Sequence, residues 1–488
     1  MFLSVYSLAF SSFALITADP DLWGHIKFGK ELWLQKSFPT TNQYSYTAPN
    51  HPWINHEWLA ELIFYTIYNF FGSTGLLLFK CLFGQLLVHI IYQYNLKREA
   101  HPLVLTGIMM LTVPVLAPGF MVRPHLWTSL FFAVFILLLL KGIEEKKGAL
   151  YWIPFLMLVW VNCHGGVVAG VSIFTIVLLV ESARSLLSGE KFCKPLLISY
   201  FISCFAVLLN PSGLILWKFF YHSLSQPRNI TEWNPIPLFN GQFIFLKILA
   251  VLFFASLFLP VKKSAWKTML LLGTIYFGFK HQRHSVLAAI SLATYLPVYL
   301  SKGLAPLSGT ISKTIYAYRL NSPTKFLLSL FIIFQIMVGV SKYKQNEFKL
   351  LVEPQVYPSY LVKFMRKNKL NGNLQVPFDW GEYFIWKLPD SKVSIDGRFR
   401  TAYPESVIRW GQQVYSELPP AIIEKYQTDF IIVRKNSTTK NYLKDNKEWV
   451  KIYEDLISNL FMSKNRFQNL KPGRKWIQPK APPSLNFP

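Results

Sequence analysis

Residues 103–141 read LVLTGIMMLTVPVLAPGFMVRPHLWTSLFFAVFILLLLK: two apolar runs, 103–119 and 126–141, parted by a short connector holding Arg123, Pro124 and His125. Runs of this kind approach the roughly 20 apolar residues that a helix needs to cross the hydrocarbon core. The pattern continues on both sides. Further apolar runs are placed at 2–18, 74–95, 149–162, 165–182, 194–210, 243–260, 266–280, 285–300 and 325–341. Together they give about eleven membrane spans. The composition of the 488 residues agrees: 52% are hydrophobic and 15% charged, with mean hydropathy +0.29. Soluble chains carry about 25% charged residues, so an ordinary soluble globule is excluded.

Lys and Arg number 50 against 25 Asp and Glu, a net charge of +25. That excess suits nucleic acid, anionic lipid or the orientation bias of a membrane protein. Before residue 345 the basic residues lie mostly in short loops between apolar runs, without an aromatic-interleaved face. No nucleic-acid partner is therefore expected. The four cysteines, Cys81, Cys163, Cys193 and Cys204, stand in or beside apolar runs at none of the zinc or CxxC spacings. The first run, Phe2 to Ala18, lacks the basic segment that precedes a signal-peptide core, and reads as a first transmembrane helix whose true start can lie upstream.

Alternation of spans sorts the loops into two sets. Lys97/Arg98, Lys141/Lys146/Lys147, Arg184/Lys191/Lys194, Lys262/Lys263/Lys267 and Lys302/Lys313/Arg319/Lys325 fall on one side. The opposite side has the sparser Lys27/Lys30/Lys36, Arg123, Lys218/Arg228 and Lys280/Arg283. The positive-inside rule places the first set in the cytoplasm and, with an odd number of spans, everything after residue 342 outside. The polar residues hardest to explain as solvated loop decoration then all lie outside. They are Asp19, Asp21, His25, His56, Glu57, Arg123, His125, Asn162, His164, Asn210, Glu232, His281, Arg283 and His284. An exterior site at membrane level, built from several loops, is the simplest account.

The first exterior loop, 18–57, opens on Asp19-Pro20-Asp21 and closes on His56-Glu57. Leu22, Trp23, Ile26, Leu32, Trp33 and Leu34 recur at helical spacing among Lys27, Lys30 and Lys36, as in a helix lying in the interface. A carboxylate there can accept a proton from an acceptor hydroxyl or hold a divalent cation beside a phosphate. It can equally cap the helix that follows. Arg123, His125, Arg283 and His284 put cationic donors at the exterior lip, suited to a phosphate or pyrophosphate group, or to snorkelling toward headgroups. His56, Glu57, His164 and Glu232 are substrate-binding or supporting candidates. Asn162-Cys163-His164-Gly165-Gly166 reads either as close ligand approach or as a packed polar junction, and Asn210-Pro211-Ser212-Gly213 as a turn. No GxSxG, P-loop or GxGxxG signature occurs in a suitable context.

After about residue 345 charge density rises and short strand-like runs appear: 374–377, 392–395, 430–433, 449–453 and 460–463. Tyr360 to Lys369 and Ala421 to Tyr426 read as amphipathic helices covering a sheet. Asp379-Trp380-Gly381-Glu382-Tyr383 and Asp396-Gly397-Arg398 fall at strand ends, where turn chemistry explains Asp-Gly as well as ligand contact does. Asn436-Ser437-Thr438 matches a glycosylation sequon. The domains expected are a multipass transmembrane domain, 1–342, a soluble α/β domain, 345–470, and a disordered basic, Pro-rich tail, 471–488.

Several stretches carry a family resemblance: DPDLWGHIKFGKELW, FPTTNQYSYTAPNHPWINHEWLAEL, FMVRPHLWTSL, WVNCHGGVVAG, LLNPSGLILW, ITEWNP and FDWGEYFIWKLPDSKVSIDGRFRTAYP. With them the chain resembles an uncharacterised bacterial branch of the GT-C superfamily of multipass glycosyltransferases, which use polyprenyl-phosphate-linked sugars. The resemblance implies an α-helical polytopic fold with a small extracytoplasmic α/β domain, in the bacterial inner membrane. It implies transfer of a sugar, with inversion, from a polyprenyl-phosphate donor to a lipid, glycan or protein acceptor. Its acidic signature maps to Asp19 and Asp21, and the leaving phosphate would be stabilised by Arg123, His125, Arg283 or His284. The WWD motif of oligosaccharyltransferases is absent, which argues against transfer of whole glycans to Asn. The loop has Asp-Pro-Asp in place of adjacent acids, so which of the two is the base, and whether a metal is used, stay open. A non-catalytic polytopic protein or a transporter is the rival reading. A transporter should place ionisable groups near mid-membrane, where Lys80 and Lys247 are the main candidates. A ligase or phosphotransferase acting on lipid-pyrophosphates would use similar cationic groups.

Overall fold

Each of the eleven apolar runs forms helix in the computed structural model, which describes residues 1–189, 191–226, 231–305, 322–416, 425–470, 475–479 and 486–487. In chain order the first helices are α1 (Phe2–Phe13), α2 (Leu22–Gln35), α3 (Trp58–Lys97), α4 (Pro102–Leu116), α5 (His125–Glu144), α6 (Ile153–Cys163) and α7 (Val167–Ser188). There follow α8 (Lys194–Ala206), α9 (Leu214–Ser225), α10 (Ile244–Ser256), α11 (Ala265–Lys280), α12 (Ser285–Leu304) and α13 (Ser322–Lys344). Among the described residues 6 helical stretches are long and apolar enough to cross a membrane: Trp58–Lys97, Pro102–Gly119, His125–Glu144, Val167–Ser188, Gln282–Leu304 and Ser322–Lys344. The other runs form shorter helices. The first stops at Phe13 rather than Ala18 because the chain turns extended there, and Thr17 bridges Leu351. Pro and Gly set several of the boundaries: α6 ends in extended backbone at His164, and Gly165-Gly166 lead into α7. The unannounced helix α9 follows the Asn210-Pro211-Ser212-Gly213 turn.

The chain divides into two compact units. The first holds Met1–Ile16 and Leu77–Phe348, the second Thr17–Leu76 and Lys349–Pro488. Within α3 the helix is broken at Gly72, whose φ of 61° and ψ of −159° lie outside the range of an L side chain.

In the first unit, loops assigned from the sequence to one side of the membrane are joined by ion pairs. Arg98 lies 3.2 Å from Glu144 and also pairs with Glu145, while Lys267 pairs with Glu144. The core is apolar side chains facing between helices, such as Phe13 stacked on Phe120 with centroids 4.3 Å apart. Exposed Leu, Ile and Phe residues along α8, α10 and α13 suit contact with lipid. Lys313, Arg319 and Arg228, used in sorting the loops, lie outside the described residues.

The second unit carries a five-stranded sheet in the order β2-β1-β3-β5-β4. Its strands are β1 (Asn373–Gln375), β2 (Lys392–Val393), β3 (Phe430–Arg434), β4 (Trp449–Glu454) and β5 (Ser458–Ser463). β1 pairs parallel with β2 and β3, and β5 antiparallel with β3 and β4. The register places Leu374 beside Phe430 and Ile431 opposite Phe461. The buried run Phe430–Val433 is β-branched and apolar, as a strand covered on both faces requires. The expected amphipathic helix at 360–369 is α14 (Ser359–Lys367). The one at 421–426 falls mostly outside the described residues. Further helices are α15 (Gly381–Lys387), α16 (Glu405–Ser416), α17 (Thr438–Asp445) and α18 (Lys464–Gln468).

Segment 17–76, read from the sequence as part of the membrane domain, folds in this second unit. Ser45 forms a β-bridge with Val393, and Ile54 N–H donates to Thr401 O at 2.9 Å. The first half of α2 is buried there: Trp23 packs edge-on to Tyr383 at 4.9 Å and lies 4.3 Å from Phe487. Its C-terminal part, with Lys30, Trp33 and Leu34, is exposed as an interfacial helix would be. The described parts of the tail are held as well. Ile477 N–H donates to Asn368 Oδ1 at 3.0 Å, and Phe487 N–H to Leu350 O at 2.8 Å.

Candidate functional site

Four connectors supply the polar groups of the first unit. Pro124 leads into α5, leaving Arg123 just ahead of the helix. The turn Thr231–Trp233 is laid along the turn Gln282–His284 by backbone bonds: Gln282 N–H donates to Asn234 O at 3.0 Å and Ile236 N–H to Phe279 O at 2.8 Å. His281 Nδ1 lies 2.8 Å from Trp233 O. That pinning delivers Glu232 to both arginines. Its Oε1 accepts from Arg123 Nη1 at 3.2 Å, and its Oε2 lies 3.6 Å from Arg283 Nη1. One carboxylate thus bridges two guanidiniums.

His164 belongs to the same group. Its Nε2 lies 3.3 Å from Arg283 Nη2, and its Nδ1 lies 2.7 Å from Thr128 Oγ1 and 3.0 Å from the N–H of Gly166. Trp160 Nε1–H donates to the same Thr128 oxygen at 2.9 Å. A side chain at Gly166 would collide with Thr128, so glycine is needed for this approach. Asn162 next door has a packing role, its Nδ2 donating to Leu158 O at 2.9 Å and Leu209 O at 3.0 Å. Asn210 closes a turn by accepting Ser212 N–H at 2.9 Å.

The other two cationic candidates have local partners. His125 Nε2 bonds Gly119 O, and the His284 ring packs against Trp233 and His281 with centroids 5.6 Å and 5.5 Å apart. Lys80 and Lys247, the residues a transporter would need, bond the backbone carbonyls of Leu15 and Asn240.

In the second unit Asp19 is buried and its Oδ1 accepts Asp21 N–H at 3.0 Å, forming the tight turn into α2. Asp21 stands at the helix N-cap without capping it through its side chain, and is only partly buried. Its Oδ1 faces Gly397: a methyl there would meet Asp21 Oδ1 at 2.5 Å and Glu382 Oε1 at 2.8 Å. Glu382 Oε2 accepts Gly24 N–H at 3.1 Å. Burial, followed by the negative charges of Asp21 and Asp396, holds the Glu382 carboxyl far above the usual range, against the opposing pull of Arg398. Its surroundings thus favour the protonated form beside the acidic turn. His25 Nδ1 lies 3.2 Å from Glu61, which also accepts Asn55 Nδ2 at 2.7 Å. Burial disfavours the His25 charge, yet the Glu61 hydrogen bond and the nearby carboxylates raise its pKa overall. His56 Nε2 is 3.7 Å from Glu57 at the start of α3.

The Asp396-Gly397-Arg398 turn is an anchor. Arg398 meets the fully buried Asp396 in a fork of 2.8 Å and 2.7 Å and donates to Asn42 Oδ1 at 2.9 Å. Its guanidinium lies 4.7 Å and 4.9 Å from the ring centroids of Trp53 and Tyr44. Tyr403 OH adds a 2.5 Å bond to Asp396.

The structure thus joins Arg123, Glu232, Arg283 and His164 in the first unit, and Asp19 with Asp21 in the second. Thr128, Trp160 and Glu61 are not among the candidates drawn from the sequence, and Glu382 is only part of a polar cluster there. Thr128 and Trp160 look like ordinary residues of apolar helices, and the 36 positions between Thr128 and His164 conceal their bond. Glu382 does leave a signal, a carboxylate inside the apolar run Trp380–Trp386. Among the described residues no group of three or more His, Cys, Asp and Glu is placed to hold a metal ion.

No protein-family model matches the chain, and comparison with curated proteins gives no match. Solved structures do match. The chain is similar to apo ArnT from Cupriavidus metallidurans, with TM-score 0.56 and 12% identity over 94% of this chain and 96% of that one. It is also similar to the apo oligosaccharyltransferase of Archaeoglobus fulgidus, with TM-score 0.54 and 12% identity over 88% of this chain and 69% of that one. The same enzyme tethered to an acceptor peptide with an NVT sequon gives TM-score 0.50 and 12% identity, covering 89% and 68%. The likeness to these proteins is one of fold.

Proposed function

We propose that this chain is a membrane glycosyltransferase that moves one sugar from a polyprenyl-phosphate carrier to a lipid, glycan or protein acceptor on the extracytoplasmic face of the bacterial inner membrane. The observation that supports this most is the sharing of Glu232 by Arg123 and Arg283 in a chain with the GT-C fold. Two guanidiniums brought together suit an anionic leaving group, because bidentate N–H donors match phosphate oxygens and gain strength as charge develops there. His125 and His284 serve the same phosphate, and His56 and Glu57 support the acceptor side.

In the reaction the acceptor's heteroatom forms a bond to the anomeric carbon on the face opposite the phosphate. The C–O bond to the carrier breaks, and its electron pair leaves on the phosphate oxygen. The acceptor's proton goes to a carboxylate of the first loop. Asp21 suits this role better than Asp19, whose Oδ1 is engaged in the turn and which is buried. A single displacement inverts the anomeric configuration.

The test is transfer from labelled polyprenyl-phosphate sugars by purified wild-type protein, Asp19→Asn and Asp21→Asn. Asp21→Asn should lower turnover by about 100-fold or more with donor binding retained, the scale of a lost general base. Asp19→Asn should keep substantial activity, since an amide oxygen still accepts the Asp21 N–H. Full transfer by both variants would sink the assignment of the base, and no transfer by wild type with any donor would sink the reading itself.

A further inference from the structure

His25 is a buried histidine that the displacement described above does not use. It stands one turn after Asp21 on α2. Its N–H donates to Asp21 O at 3.1 Å, so the two side chains leave the same face of the helix. The ring is held from the first turn of α3, where its Nδ1 lies 3.2 Å from Oε1 of the buried Glu61. Gly29, a further turn along α2, permits this approach, since a side chain there would collide with the Glu61 carbonyl. Hydrogen bonds orient the carboxylate. Asn55 Oδ1 accepts the Glu57 N–H at 3.2 Å, which turns the Asn55 Nδ2 donor toward Glu61 Oε2, 2.7 Å away. A carboxylate beside Nδ1 accepts the ring proton there, which leaves Nε2 as the nitrogen that gains or loses one. Burial disfavours a charge on the ring. The Glu61 hydrogen bond and the carboxylates of Glu57, Glu61 and Asp21 outweigh burial and favour the imidazolium.

We infer that His25, oriented by Glu61 as its positioning residue, takes over at Nε2 the proton that the acceptor yields to Asp21. The inference rests on the transferase reading and on Asp21 as its base. In the step, the acceptor's O–H or N–H bond breaks as its heteroatom bonds the anomeric carbon, and an O–H bond forms on the Asp21 carboxylate. That proton then moves to the lone pair of Nε2. Asp21 returns to carboxylate, and the imidazolium keeps Glu61 as its counter-ion. Release of the Nε2 proton to water resets the pair. Nothing is oxidised or reduced, and the only traffic beyond the displacement itself is one proton. The groups that set the ring's charge come from both elements packed around it: Asp21 from the start of α2, and Glu57 and Glu61 from the start of α3.

Two measurements test this. Nitrogen-15 NMR of the full-length protein labelled at histidine, with His25 assigned by its loss in His25→Gln, should show a proton held on Nδ1 while Nε2 titrates. The midpoint should lie above that of free imidazole, and Glu61→Gln should weaken proton binding by about 10-fold or more. The pH profile of kcat for transfer from labelled polyprenyl-phosphate sugars is the second. Wild type should lose turnover on the acid side of the same midpoint, because an imidazolium takes no second proton. Glu61→Gln should move that limb to lower pH, and His25→Gln should abolish it and lower the plateau by about 10-fold or more. An unprotonated Nδ1 in wild type overturns the inference, as does a limb that stays in place in Glu61→Gln or full turnover by His25→Gln. The wild-type spectrum and profile need no variant, so a substitution that fails to fold leaves the decision intact. If no donor supports transfer, or if Asp21→Asn transfers fully, the underlying reading fails and takes the proton hand-over with it, while the spectra still report on the pair of Glu61 and His25.

Discussion

Glu232 Oε1 accepts from Arg123 Nη1 at 3.2 Å across 109 positions of sequence, and its second oxygen lies 3.6 Å from Arg283. Its side chain is 46% exposed, so the pairs contribute little to stability, about 1 kcal/mol or less. The expected result for Glu232→Gln is a nearly unchanged melting temperature and a several-fold lower Kd for a short-chain polyprenyl phosphate, since a competing anion is removed. Turnover should fall because the guanidiniums lose their alignment. Weaker phosphate binding together with lower turnover would speak against the arginines as the phosphate site.

Glu382 gives the second unit a pH dependence of definite sign. Its folded-state pKa lies well above that of an unfolded glutamate, chiefly through burial and then through Asp21 and Asp396. Above the ordinary carboxylate range the native state therefore holds a proton that the unfolded state has released. Stability falls as pH rises, by about 1.4 kcal/mol per pH unit, until Glu382 itself ionises. Glu382→Gln should remove this slope and raise thermal stability relative to wild type at neutral and alkaline pH. Melting curves against pH, with and without the substitution, check it; parallel curves would refute it.

The buried pair of Asp396 and Arg398 joins the first loop to the turn after β2 through Asn42 and the aromatic rings of Tyr44 and Trp53. Removing one partner strands the other charge, a loss of about 3–5 kcal/mol. Asp396→Asn should therefore destabilise strongly and open the loop 40–54 to proteolysis. Arg398→Met paired with Asp396→Leu should recover much of the loss, because no buried charge is left over. Limited proteolysis followed by mass spectrometry reads both.

Phe487 is 2% exposed, with its ring 4.3 Å from Trp23 and 5.8 Å from Tyr68. Phe487→Ala should cost about 3–5 kcal/mol in the second unit, the usual range for an emptied aromatic site. Trp23 lies two residues after Asp21, so transfer activity should fall with it. Unchanged denaturant midpoints would show that the pocket closes without its ring.

Much of this architecture is legible in local chemistry. The eleven apolar runs become helices because a buried or lipid-facing backbone must satisfy its own polar groups, and each run carries that requirement in its composition. All five strand runs after residue 370 recur within a few residues of their expected positions, since β-branched clusters between turns leave few alternatives. Arg123, Glu232, Arg283 and His164 stand out as polar groups in otherwise greasy surroundings. Other features have no local signature. Asp19 and Asp21 fold with the C-terminal sheet because Ser45, Ile54 and Asn42 find partners at Val393, Thr401 and Arg398, more than 340 positions away. The raised pKa of Glu382 follows from the burial and carboxylates around it, and the meeting of His164 with Thr128 from contacts across the fold. Composition and periodicity, which act over neighbouring residues, decided which segments are helix, strand or span. Charge states and partnerships depend on distances across the fold, and only the tertiary structure set those.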